Sequence, residues 1–157
     1  MRHELWESLQ AWATGMAELS GPLSIALRES IGAVYSVESA VLGGIHPGAW
    51  WFVASCESER AQEVAKCMED TILSSVNTPT LSWPAGVGQV MRSRFHVQQE
   101  SGLARALHHT RTLRTERPVL PVGKEGTRYL ETPHSGFHEW LRSTCRQGLG
   151  TLLVHHS

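Results

Sequence analysis

The chain has 157 residues, 41% of them hydrophobic and 18% charged, which suits one domain with a buried core and speaks against long disorder. A formal net charge of −1 gives no overall pull toward nucleic acid or an anionic membrane, and no apolar run approaches the ~20 residues that span a bilayer. The acidic start Met1-Arg2-His3-Glu4-Leu5-Trp6-Glu7 does not read as a secretory signal, and Cys56, Cys67 and Cys145 lack Cys-x-x-Cys spacing, so they are expected as reduced thiols in a cytoplasmic protein.

Residues 3 to 19 have the spacing of an amphipathic helix. Leu5, Leu9, Trp12 and Met16 recur every three or four positions, with Trp6 and Ala13 flanking them. Gly21-Pro22 breaks the backbone, because a proline disfavours helical geometry in the residue before it. Leu23 to Arg28 then predicts a short helix or turn that Gly32 ends in a left-handed cap.

Ala33 to Leu42 alternates as a strand, with Ala33, Tyr35, Val37 and Val41 on one face and Ser36 and Glu38 on the other. After the turn cluster Gly43–Gly48, Ala49 to Ala54 is apolar at successive positions and reads as a strand covered on both faces. Trp50, Trp51 and Phe52 are expected in the core. Ser58 is a candidate N-cap for a helix carrying Ala61, Val64, Ala65, Met68 and Ile72, which Asn77-Thr78-Pro79 stops.

A linker over 78–86 leads to a basic helical region from Val87 to about Leu113, broken near Ser101-Gly102. Pro118 to Gly126 reads as a second loop. Thr132-Pro133 opens a helix through Phe137, Trp140 and Leu141, and Gly150 to Val154 closes the chain as a strand expected to rejoin the sheet. The order implies an α+β fold, an antiparallel sheet with helices on one face, in one domain over 1–157.

The run Leu27-Arg28-Glu29-Ser30-Ile31-Gly32-Ala33-Val34-Tyr35-Ser36-Val37 carries the most information. It ends a helix, turns at a glycine and enters a strand with a tyrosine seven residues after the arginine. With the second strand Ala49–Ser55 and the helical run Ser58–Ser75, it resembles the non-catalytic half of the insulinase/pitrilysin-type zinc metallopeptidases, the inverzincins. The likeness is strong over 21–76 and one of layout alone over 86–157.

The resemblance implies a processing-peptidase-like half-domain sandwich, entered late, so that the chain is expected to be a truncated gene product or fragment lacking the first strands, or to receive them from another chain. It implies Arg28 and Tyr35 as substrate-binding residues that reach toward peptide held at the zinc of a partner half. It places no catalytic residue and no metal ligand in this chain, and expects the zinc in the partner half. The partners are then a zinc-bearing half-domain and a peptide substrate, with self-association through an incomplete sheet. The alternative is an inactive interaction module of the same fold. In physical terms, a guanidinium is a permanent charged fork for carbonyls and carboxylates, and a phenol is a donor for a developing oxyanion.

Nine histidines invite a search for metal motifs. None begins the inverted zinc motif His-x-x-Glu-His: in His134-Ser135-Gly136-Phe137-His138 a phenylalanine stands where glutamate belongs, and reading on from His138-Glu139 fails at Arg142. His134 and His138 lie one turn apart but lack a third ligand, while the neighbours His108-His109 and His155-His156 diverge. Arg92, Arg94, Arg105, Arg111, Arg114 and Arg117 form a basic stripe that could meet phosphates, but without aromatics spaced for base stacking nucleic acid is not the expected partner. No phosphate loop and no Gly-x-Ser-x-Gly elbow is present, and Asp70 is the only aspartate.

Overall fold

Helix α1 (His3–Ala17) forms the axis of the fold. In the structure, a computed structural model, residues 3–32, 34–42, 49–78, 86–114, 135–146 and 149–150 are described. Leu9, Trp12, Ala13 and Met16 are fully buried along one stripe of α1, as their spacing requires. Ala11, on another side, is equally buried against Val87 and Met91 of a later helix. Helix α1 is therefore covered on two faces, and the small side chain at Ala11 allows the second helix to approach.

Gly21 turns the chain at the end of α1. A short helix α2 (Pro22–Ser24) follows and runs into a wide helical segment, Ile25–Ser30, of π type. The Ser24 hydroxyl donates to the carbonyl of Ala17 at 2.9 Å, satisfying one of the acceptors that a helix end leaves free.

Strands β1 (Val34–Leu42) and β2 (Ala49–Cys56) pair antiparallel. Val37, Val41, Trp50 and Phe52 pack inward on the core that α1 shares with Ile72, Val76, Phe137 and Leu141. Trp51 and Val53 alternate to the other face and are 39% and 49% exposed. The expectation of a strand covered on both faces is thus corrected: among the described residues β2 has one covered face, and Trp51 leaves the core because successive strand side chains point oppositely.

A second correction concerns Tyr35. Val34 pairs with Cys56 and Ser36 with Ser55, so β1 carries one extra residue at this point, a β-bulge. The slip removes Tyr35 from the face of Val37 and Val41 and leaves it 70% exposed.

Helix α3 (Ala61–Asn77) is entered through a single 3₁₀ turn, Ser58–Arg60. Ser58 begins that turn and does not cap α3, whose N-terminal boundary residue is Arg60. Val64, Ile72 and Val76 are buried along α3, and Ser75 between them accepts the indole N–H of Trp12 at 3.3 Å. Helices α4 (Val87–Gln99) and α5 (Gly102–Arg114) pack against each other with the expected break between them. Helix α6 (Phe137–Cys145) buries Phe137, Leu141 and Cys145 in the main core. Among the described residues the fold is α+β, mostly helical, with α1, α3 and α6 against the inner face of a two-stranded antiparallel sheet, α4 packed on α1, and α5 on α4. The Gly43–Gly48 turn, the Pro118–Gly126 loop, the Thr132-Pro133 cap and the strand expected over 151–154 lie outside the described residues.

Candidate functional site

The junction between the π-type segment and β1 brings the two sequence-selected residues together. Arg28 lies in the last turn of Ile25–Ser30, where the partial negative charge of a helix C-terminus favours a cation. π-type turns are rare and frequently mark functional positions. Gly32 follows with φ of +58°, a left-handed conformation that glycine adopts without strain. That residue turns the chain out of the helix and into the strand.

Across this turn the Arg28 Nη2 donates to the backbone carbonyl of Tyr35 at 3.0 Å. The Tyr35 phenol stands in solvent and donates to Glu57 Oε1 at 3.3 Å. Both side chains are exposed, so neither is a packing element of the core. A guanidinium has five N–H donors, and a single bond to Tyr35 leaves Arg28 further donors for a carbonyl or carboxylate. The phenol retains its acceptor lone pairs. Such an arrangement can orient an extended peptide.

Three more side chains, of Glu57, Arg60 and Glu63, belong to the junction and were not selected from sequence. Arg60 donates through Nη2 to the carbonyl of Ile31 at 3.0 Å and through Nε to Glu63 Oε2 at 3.0 Å. Glu57, Arg60 and Glu63 recur at intervals of three, and that spacing is the signal that would have found them. Glu57 leads in extended backbone into the 3₁₀ turn that Arg60 ends, and both reach the turn around Gly32, Glu57 through the Tyr35 phenol and Arg60 through the Ile31 carbonyl.

No cluster of three or more His, Cys, Asp or Glu occurs among the described residues, and His134 lies outside them. Cys56 and Cys67 are half-buried thiols, and burial pushes the Cys145 thiol up from its ordinary value. The imidazole of His138 is held below its ordinary value of 6.5, first by burial and then by Arg142 one turn along.

Between the folded and unfolded values of His138 the unfolded chain binds more protons, so stability is fully present above pH 6.5 and falls as pH decreases below it. Urea unfolding of the wild type and of His138→Gln at pH 7.5 and pH 5.5 should show a smaller acid loss in the variant. Equal losses would mean that the imidazole titrates alike in both states.

The basic stripe is partly consumed within the fold. Arg94 pairs with Glu18 at the end of α1, which ties α4 to α1 and removes one cation from any phosphate-binding face. Arg117 and the side chains of Arg111 and Arg114 lie outside the described residues. No described helix is long and apolar enough to cross a membrane. The chain matches no family model, no curated protein and no solved structure.

Proposed function

We propose that this chain is a peptide-gripping, zinc-free half-domain of the insulinase/pitrilysin kind, acting with a partner half that carries the zinc. The observation that supports the reading is the exposed pair on one turn: Arg28 fastened to the backbone of Tyr35, with the phenol in solvent. The finer architecture that goes with it is the metallopeptidase half-domain sandwich, of which α1, the β1–β2 hairpin and α3 would be the shared part. Alone, such a chain would bind peptide and hydrolyse nothing. Contacts with the partner half, or between copies, would run through the sheet.

The second reading is an inactive interaction module in which the pair is a structural clasp. The bond from Tyr35 to Glu57 favours it, because a phenol already engaged within the chain has less to offer a ligand.

The two readings differ in a paired measurement. The probe is a fluorescein-labelled pool of unstructured 20-residue peptides, titrated by anisotropy against wild type, Arg28→Ala and Tyr35→Phe, with a thermal melt of each. A charge-assisted hydrogen bond contributes ~1.5–3 kcal/mol, so Arg28→Ala is expected to weaken capture by about tenfold or more. Tyr35→Phe, at an exposed position, should change stability by no more than about 0.5 kcal/mol. Absence of capture by the wild type, or variants that melt early yet bind as before, would sink the gripping reading in favour of the clasp.

A further inference from the structure

We infer that Arg60 is a positioning residue for the Arg28–Tyr35 pair, holding the Ile31 carbonyl so that the chain enters β1 with Tyr35 on its bulge; the inference rests on the peptide-gripping reading above. Ile31 is the boundary residue of the π-type segment, and the last carbonyls of a helix lack partners within it. Arg60 supplies a donor to the Ile31 oxygen from an element 29 residues further along the chain. Arg28 supplies one to the Tyr35 carbonyl. The turn around Gly32 is therefore held at both ends by guanidinium groups, one local and one from the entry to α3.

The geometry of that entry explains why one turn serves both ends. Glu57 precedes the 3₁₀ turn and Arg60 closes it, with the backbone N–H of Arg60 donating to the Glu57 carbonyl at 3.0 Å. Glu57 accepts from the phenol of Tyr35 while Arg60 holds the backbone that carries it. Glu63 fixes the Arg60 guanidinium from the first turn of α3, which leaves a planar fork with one edge on a carboxylate and one N–H on the carbonyl. The bond to Ile31 is partly buried, whereas that of Arg28 is exposed. Arg60 is thus the better shielded of the two anchors, and salt screens it less.

A merely stabilising Arg60 would lower the melt without reference to Tyr35. A positioning Arg60 must act through the pair. The test is a double-mutant cycle in peptide affinity, using the same fluorescein-labelled pool, with Arg60→Ala, Tyr35→Phe and the double variant, at a temperature where all are folded. Arg60→Ala is expected to weaken capture about five- to tenfold in the wild-type background and less than about twofold beside Tyr35→Phe, the non-additivity of residues in one network. Arg60→Lys, which can still donate to the Ile31 carbonyl, should recover at least half of the loss. Backbone amide exchange from Gly32 to Tyr35 should quicken in Arg60→Ala.

Additive losses, or unchanged exchange over that segment, overturn the inference and leave the gripping reading standing. If the wild type captures no peptide, the gripping reading fails instead. The exchange measurement then decides alone whether Arg60 sets the turn: quickened exchange keeps its positioning of Tyr35, and unchanged exchange removes it.

Discussion

Gly21→Ala is expected to cost about 3 kcal/mol and to lower the melting temperature by about 10 °C, on the scale of ~2–4 °C per kcal/mol for a chain of this size. The cause is space and not backbone conformation, since Gly21 has an ordinary φ of −80°. A β-carbon there would meet the carbonyl oxygen of Gly15, that of Met16 at 2.6 Å and that of Glu18 at 2.9 Å. All three are backbone atoms of α1 and its end, and none can rotate aside. Gly32→Ala is the matched control. Its β-carbon would find only the Arg28 carbonyl at 3.8 Å, so the loss there is the ~1–2 kcal/mol of a left-handed conformation. Thermal melts of both variants check the order. A Gly21→Ala protein that melts above Gly32→Ala would show that the corner between α1 and α2 can open.

Trp12→Ala should be the most damaging core substitution, at about 3–5 kcal/mol. Trp12 is fully buried and meets Trp50 and Phe52 edge-on, with ring centroids 5.4 and 5.8 Å away. Its N–H reaches Ser75 Oγ, which in turn lies 3.3 Å from the Met16 sulfur. Removing the indole opens a cavity between helix and hairpin and takes a donor from a buried hydroxyl. Against a typical stability of 5–15 kcal/mol, that loss is a fifth or more of the total. Urea unfolding should show a lower midpoint, and near-ultraviolet circular dichroism should lose most of its aromatic signal. A loss below about 1 kcal/mol would move the centre of the core away from Trp12. Trp12→Phe should fall between the two, keeping ring contacts but not the hydrogen bond.

Most of the helical layout was legible because each helix carries its own local marks. The Leu9–Met16 stripe, the Gly21-Pro22 break and the Ser101-Gly102 interruption each depend on neighbours within a few residues. Arg28 and Tyr35 were found in the same way, through a glycine turn between helix and strand. The bulge at Tyr35 was not. One extra residue in a strand leaves no sequence pattern, yet it moves every earlier side chain to the opposite face. The outward position of Trp51 was available from alternation, but three successive aromatics obscured it. Arg60 escaped notice because its partner, Ile31, is a backbone carbonyl 29 residues away, and no side-chain type announces such a contact.

By itself, then, the sequence determined the breaks at Gly21-Pro22 and Ser101-Gly102, which stripe of α1 is buried, and which two residues stand at the helix-to-strand turn. Those features depend on interactions within a few residues, so they can be read from periodicity and from glycine and proline. Tertiary structure alone decided that α1 is buried on a second side through Ala11, that Trp12 joins α3 to the hairpin through Ser75, and that Glu57 and Arg60 complete the turn around Arg28 and Tyr35. Each of these needs segments far apart in the chain to meet, and hydrophobic burial, which brings them together, is non-directional and leaves no local signature.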